Sequence, residues 1–303
     1  MKARVIALYL PQFHPIPEND KWWGRGFTEW TNVKNAKPLC KGHVQPRVPT
    51  DLGYYNLLDQ DVREKQAKLA KDAGIEGFCY YHYWFGNGRQ LLERPFNEVL
   101  ASGKPDFPFC ICWANHDWTN KSWKKTSTQK NGEMIIQMQY SMEDHVNHFF
   151  SLLPAFKDKR YITVNGKPLF AVWAPRNIPN AKAFIEKWQE LAKANGLPGI
   201  HFVGYTANAN KKLPDGTISM YATDKAHVFY KSVLDIGFDA VISSGLTRAQ
   251  AVLQGRFKLA WNVFSYKSFF PSRACIDYSD LMKYYYVNED AWENVYPTLL
   301  PQW

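Results

Sequence analysis

Ile75-Glu76-Gly77-Phe78-Cys79-Tyr80-Tyr81-His82-Tyr83-Trp84-Phe85 is an aromatic-rich run that reads as a buried strand. The turn Gly86-Asn87-Gly88 follows it, then a helical run from Leu91 to Ala101 that stops at Ser102-Gly103, then a second apolar strand from Phe107 to Trp113. Strand, helix and strand in this order form a βαβ unit, the building block of a parallel sheet.

The alternation extends outward in both directions. Upstream lie a strand at Val5 to Leu10 and a helix from Asp59 to Ala73, closed by Gly74 and separated from the strand by a long polar and aromatic loop. Downstream, helices are expected at Met142 to Phe156, behind a Ser141 cap, at Ala181 to Ala194 and at Tyr278 to Val287. Further strands are expected at Pro168 to Trp173, Ile200 to Tyr205, Ala240 to Ser243 and Val295 to Leu300. This many units in 303 residues point to α/β class and a (β/α)8 TIM-type barrel, with the last strand expected to be missing because only seven are counted. One domain over residues 1–303 is the expectation, truncated at its C-terminal end.

Composition narrows the function. Hydrophobic residues at 46% supply a sizeable core, and charged residues at 21% are ordinary for a soluble chain. Aromatics at 16%, with 12 Trp, are in excess of what a core needs. Two readings account for them: ring faces that stack on sugars, or a tryptophan-rich core in which each indole N–H finds a partner. A net charge of +9 favours anionic partners or a peripheral contact with a membrane face, but no nucleic-acid motif accompanies it, and the Lys121, Lys124 and Lys125 cluster reads as a solvated loop. Five cysteines at Cys40, Cys79, Cys110, Cys112 and Cys275 fit no disulfide framework, and Cys79, Cys110 and Cys112 read as small hydrophobes. A cytoplasmic setting is expected, without cofactor or metal; His145 and His148 are three apart on a helix but have no third ligand in view.

In (β/α) barrels the working groups sit at the C-terminal ends of strands. That rule selects Gln12 and His14 after the first strand, with Glu29 and Trp30 from the loop beyond; His82 and Trp84 at the second; and Trp113, Asn115, His116, Asp117 and Trp118 at the third. Tyr83 and Trp173 lie at strand ends as well. Polar and aromatic side chains together are the make-up of a sugar cleft. Glycosyl chemistry asks for two carboxylates, and Glu29 and Asp117 are the acids in this set, with His116 as a further acid/base candidate. Gln12, His14, His82 and Asn115 are expected to bond hydroxyls; Trp30, Trp84, Trp113 and Trp118 are expected to stack. Each has a plain structural alternative: a histidine in a buried strand is also a core residue.

Ile6-Ala7-Leu8-Tyr9-Leu10-Pro11-Gln12-Phe13-His14, Trp22-Trp23-Gly24-Arg25-Gly26-Phe27-Thr28-Glu29-Trp30, the run Gly77 to Phe85, Leu92-Glu93-Arg94-Pro95 and Pro108-Phe109-Cys110-Ile111-Cys112-Trp113-Ala114-Asn115 resemble the signature blocks of the WbsX-type family. That family carries the label glycosyltransferase or lipopolysaccharide biosynthesis protein and is related to the endo-α-mannosidase barrels of glycoside hydrolase family 99. The resemblance implies a barrel that transfers or hydrolyses sugars in cell-surface polysaccharide, with a glycan or a lipid- or nucleotide-linked sugar as partner. It is dense from residue 4 to 175 and returns at Val295. Two departures stand out. His116 occupies a position where the family usually has Glu, and the sequence ends at Pro301-Gln302-Trp303 without the family's Trp-Asn-Glu-Trp strand. Both remove carboxylates, which sets a second expectation beside the enzyme: a catalytically impaired glycan-binding barrel or a truncated remnant.

Overall fold

The computed structural model describes residues 3–38, 42–119, 134–206, 226–255 and 276–300. Cys40, Cys275 and the Lys121, Lys124, Lys125 cluster lie outside them. The chain divides into two compact units.

The first unit holds residues 1–36, 46–173 and 177–201. In chain order it contains β1 (Ile6–Tyr9), α1 (Pro17–Trp23), α2 (Glu29–Asn35), α3 (Gln60–Asp72), β2 (Gly77–Trp84), α4 (Arg94–Ser102) and β3 (Phe109–Trp113). A small antiparallel hairpin follows, made of β4 (Trp118–Thr119) and β5 (Met134–Ile136), then α5 (Met142–Phe156), β6 (Lys167–Val172) and α6 (Ala181–Ala194). The strands β1, β2, β3 and β6 are parallel neighbours in chain order: Leu8 registers with Cys79, Tyr80 with Ile111, and Ile111 with Phe170.

Helices α3 to α6 all cover one face of this sheet. Tyr9 and Tyr80 pair at 4.6 Å on that face, where Tyr9 Oη donates to Gln66 of α3 at 2.6 Å. Phe96 of α4 meets Tyr80 and Phe109; His148 of α5 meets Trp113; Trp188 of α6 meets Phe170. Sequential parallel strands with helices on a single face are the winding of a barrel; a doubly wound sheet would carry helices on both. The α/β barrel-type fold expected from the sequence is therefore the fold of this unit.

The second unit holds residues 37–45, 174–176 and 202–303. It too alternates strands and helices: β7 (His201–Tyr205), α7 (Ala226–Leu234), β8 (Ala240–Ser243), α8 (residues 246–255), α9 (Tyr278–Met282) and β9 (Val295–Pro297). Val203 registers with Ala240, and Val241 with Val295, both parallel.

Every strand expected from the sequence is present, and α5, α6 and β8 have the expected bounds. The Ser141 hydroxyl accepts the Asp144 N–H at 3.0 Å, so the expected cap is made. Three expectations need correction. The helix expected to run to Val287 stops at Met282, because side chains claim the backbone beyond it: Arg248 Nη2 donates to the Tyr285 carbonyl at 2.6 Å and the Asp290 carboxylate accepts the Val287 N–H at 2.9 Å. The helix expected from Leu91 starts at Arg94, since Leu92 has φ +60°. The loop after β1 contains α1 and α2, started by Pro17 and by a Thr28 capping box.

Gly86, at φ +99°, has a clear task. A Cβ there would lie 2.6 Å from the Gln139 carbonyl, and this close approach lets the Gln139 N–H reach the Phe85 carbonyl at 2.9 Å. The bond ties the end of β2 to the segment between the hairpin and α5. Cys79, Cys110 and Cys112 are buried free thiols, as small hydrophobes should be.

Candidate active site at the strand ends of the first unit

A strand alternates its side chains between two faces, so neighbouring residues at one strand end have opposite fates. His82, Trp84 and Trp113 lie on the helix-covered face with Tyr80 and Ile111. Trp113 is fully buried; its indole N–H donates to the Trp84 carbonyl at 2.9 Å, and the Trp84 N–H donates to Asp144 Oδ2 at 2.9 Å. The ring of Trp84 stacks on His148 at 4.7 Å and 6°. Nε2 of His82 lies 3.0 Å from Nε2 of His148, so one ring donates and the other accepts, which requires the accepting ring to be neutral. Burial drives the His82 pKa down to about 3 and that of His148 well below its ordinary value. The expectation that Trp84 and Trp113 stack on sugar and that His82 bonds a hydroxyl gives way here: these side chains form the core against α5. For them the plain reading of the aromatics holds, and Trp188 follows it too, its N–H donating to the His145 carbonyl at 2.8 Å.

His14 is also removed from the cleft. It is 1% exposed, and neither ring nitrogen makes a hydrogen bond. Burial lowers its pKa, partly offset by the nearby Pro11 carbonyl and the Glu93 charge.

The opposite side chains come together. Tyr83, one residue beyond His82, receives a hydrogen bond from Gln12 Nε2 at 3.1 Å. Its ring meets Trp118 edge-on at 5.4 Å and His116 at 6.4 Å. The carbonyl of Gln12 accepts the Glu29 N–H at 3.2 Å, which fixes the start of α2 against the end of β1. The Glu29 carboxylate is half-buried and accepts from Asn32 at 3.2 Å. Burial raises its pKa, and the Asn32 bond opposes the rise without cancelling it. Tyr83 is raised strongly, first by burial and then, among smaller causes, by the Glu29 charge. Gln12, Glu29, Tyr83, His116 and Trp118 thus form one group drawn from β1, α2, β2 and the segment after β3.

Asn115 and Asp117 have structural partners beside this group. The Tyr140 hydroxyl lies 3.4 Å from both Asn115 Nδ2 and the Asn115 carbonyl, and burial pushes the Tyr140 pKa up to about 12. Asp117 is exposed, and its Oδ1 accepts the Met138 N–H at 2.7 Å, anchoring the chain that returns from the hairpin. Trp30 is half-buried, donates to the Tyr55 carbonyl at 2.8 Å and packs among Phe13, Tyr54 and Tyr55. Trp173, beyond β6, meets Tyr81 at 5.7 Å on the face that the helices leave open.

Tyr83 was placed at a strand end without a role, and Tyr140 and Tyr81 were absent from the residues expected to form the site. Period-two counting along β2 would have found the first and last: once Tyr80 is assigned to the core face, His82 must share it, and Tyr81 and Tyr83 must take the other. Among the described residues no group of three or more His, Cys, Asp or Glu is arranged to hold a metal ion, and no helix is long and apolar enough to cross a membrane.

Comparison with known proteins gives three kinds of match. The protein WxcX of Xanthomonas campestris pv. campestris, in strains B100 and ATCC 33913, is 39% identical over 201 residues. That alignment takes in 66% of this chain and 28% of WxcX, so the chain spans little more than a quarter of the length of the curated relatives it matches. Among solved structures, a glycoside hydrolase family 99 endo-α-mannosidase from Bacteroides thetaiotaomicron is 14% identical at a TM-score of 0.46, covering 87% of this chain and 67% of its own. A glycoside hydrolase-like protein is 15% identical at a TM-score of 0.45, covering 88% and 68%. The family model for glycosyltransferase WbsX matches residues 5–303, and the chain belongs to that family.

Proposed function

We propose that this protein is a carbohydrate-active enzyme working at glycosidic bonds of cell-surface polysaccharide, or of the lipid- or nucleotide-linked sugars from which it is built. The observation that carries the reading is Glu29, a half-buried carboxyl whose pKa is raised by burial, held at the strand ends beside Gln12 and Tyr83. An acid raised toward neutrality keeps a proton for the departing glycosidic oxygen and can then take one from the incoming hydroxyl. Transfer and hydrolysis differ only in whether that hydroxyl belongs to a sugar or to water; membership of a glycosyltransferase family supports transfer. Trp118 and Trp30 are the half-buried indoles suited to stacking, and Gln12 and Asn115 the amides suited to bonding hydroxyls. His116 and Asp117 are the groups from which a second charge at the reacting carbon would come. The net charge of +9 supports a phosphate-linked donor and peripheral contact with an anionic membrane face, in the cytoplasm.

The test is to incubate the protein with defined oligosaccharides and with lipid- and nucleotide-linked sugars, following product masses. Glu29→Gln is expected to lower turnover at least about 100-fold, the scale of losing an acid/base. Equal turnover in that variant removes Glu29 from the chemistry. A second reading, a glycan-binding barrel without turnover, is favoured by one observation: an Asp117 oxygen is already engaged by the Met138 N–H. It predicts sugar binding with no product in any mixture.

A further inference from the structure

We propose that the Tyr83 hydroxyl is a further catalytic group of this site, the donor that holds a sugar oxygen beside Glu29; the proposal rests on the reading of the site given above. The geometry turns on one hydrogen bond. Gln12 Nε2 lies 3.1 Å from the phenol oxygen. An amide nitrogen only donates, so the phenol oxygen is the acceptor there and its own hydrogen is left to donate elsewhere. Among the described residues, no acceptor takes it. A buried donor without an acceptor is costly, and such groups are rare unless a ligand or water completes them.

The surroundings hold this donor in place. Trp118 and His116 meet the ring edge-on, at 5.4 and 6.4 Å. Gln12 fixes the phenol through its side chain and the Glu29 backbone through its carbonyl, so one residue sets the relation between the two groups. Burial keeps the phenol protonated across the neutral range. The ligand atom that matches is an oxygen with a free lone pair, neutral or gaining negative charge, as a sugar hydroxyl, ring or carbonyl oxygen is; a cation or an N–H does not match. In the reaction Tyr83 keeps its proton. Glu29 gives its proton to the leaving oxygen as the C–O bond breaks, and Tyr83 holds a sugar oxygen while charge shifts.

The experiment is calorimetric titration with neutral glyconolactams of gluco, galacto and manno configuration, each of which offers a carbonyl oxygen. Wild type, Tyr83→Phe and Gln12→Glu are compared, with thermal midpoints measured alongside. Wild type is expected to bind at least one lactam, and Tyr83→Phe to bind it about 10-fold more weakly, the upper range for one neutral hydrogen bond. Gln12→Glu keeps the phenol but gives it a carboxylate to donate to, and is expected to weaken binding by a similar factor. Equal binding by wild type and a folded Tyr83→Phe overturns the proposal while the site reading stands. If Tyr83→Phe does not fold, equal binding by wild type and Gln12→Glu overturns it. If wild type binds none of the three, the site reading fails and the proposal falls with it.

Discussion

The two faces of β2 and β3 carry similar residue types and do opposite things. On one, His82, Trp84 and Trp113 meet α5, and their hydrogen bonds run to one another, to His148 and to Asp144. On the other, Tyr83 reaches toward Gln12, with Glu29, His116 and Trp118 around it, and among the described residues nothing takes its proton. The first face is packed against α5 and stabilises the fold, with His148 Nδ1 and Asp144 Oδ1 left without partners among the described residues. The second is open, and open hydrogen-bonding capacity at strand ends is what a binding site requires. Aromatic and histidine content alone does not separate them; the difference lies in which face the helices cover.

The largest effect is expected at Trp113. Trp113→Ala removes a fully buried indole from between Trp84, His148 and Phe184, and is expected to cost about 3–5 kcal/mol in denaturant unfolding. A loss below about 1 kcal/mol would mean that this face is not the core described. Acid acts on the same face. His82 and His148 are neutral when folded, with pKa values lowered by burial, and return to about 6.5 when unfolded. A histidine with a depressed folded pKa gives stability that is fully present above the unfolded pKa and is lost as pH falls below it. Between pH 6.5 and 5.5 the pair is expected to cost on the order of 2 kcal/mol. Urea midpoints measured across that range check it, and His148→Phe should flatten the slope; an unchanged slope contradicts the assignment. The smallest effect belongs to the segment beside the open face. Asp117→Ala leaves the Met138 N–H without its acceptor and is expected to cost about 1 kcal/mol. A much larger loss of turnover than of stability in that variant would move Asp117 from anchor to participant.

Most of the fold was legible because its signals are local. The strands are short apolar runs closed by glycine or loop residues, and α5 begins where Ser141 can cap it. The end of α9 was not legible, because Arg248, distant in sequence, and Asp290, beyond the expected helix end, take the backbone groups that would have continued the helix. At the site, the strand-end rule found Gln12, Glu29, His116 and Trp118, which do come together. It also selected His82, Trp84 and Trp113, since it names a height along the strand and not a face. His14 shows a second limit: it follows β1 directly, yet its ring is buried with the Glu93 charge nearby, and the sequence gives no sign of that turn. Whether a tryptophan N–H is spent on a core carbonyl, as in Trp113 and Trp188, depends on partners that only the folded chain brings near.

The proposed function rests on proton transfer to and from a sugar oxygen by Glu29, a carboxyl raised by burial. Its most direct test is turnover of wild type and Glu29→Gln measured side by side across pH on a glycosidic substrate. The account predicts a wild-type profile with a limb displaced above the ordinary carboxylate range, and a variant at least about 100-fold slower in which that limb is gone. A variant that turns over at the wild-type rate, or that keeps the same limb, would contradict it.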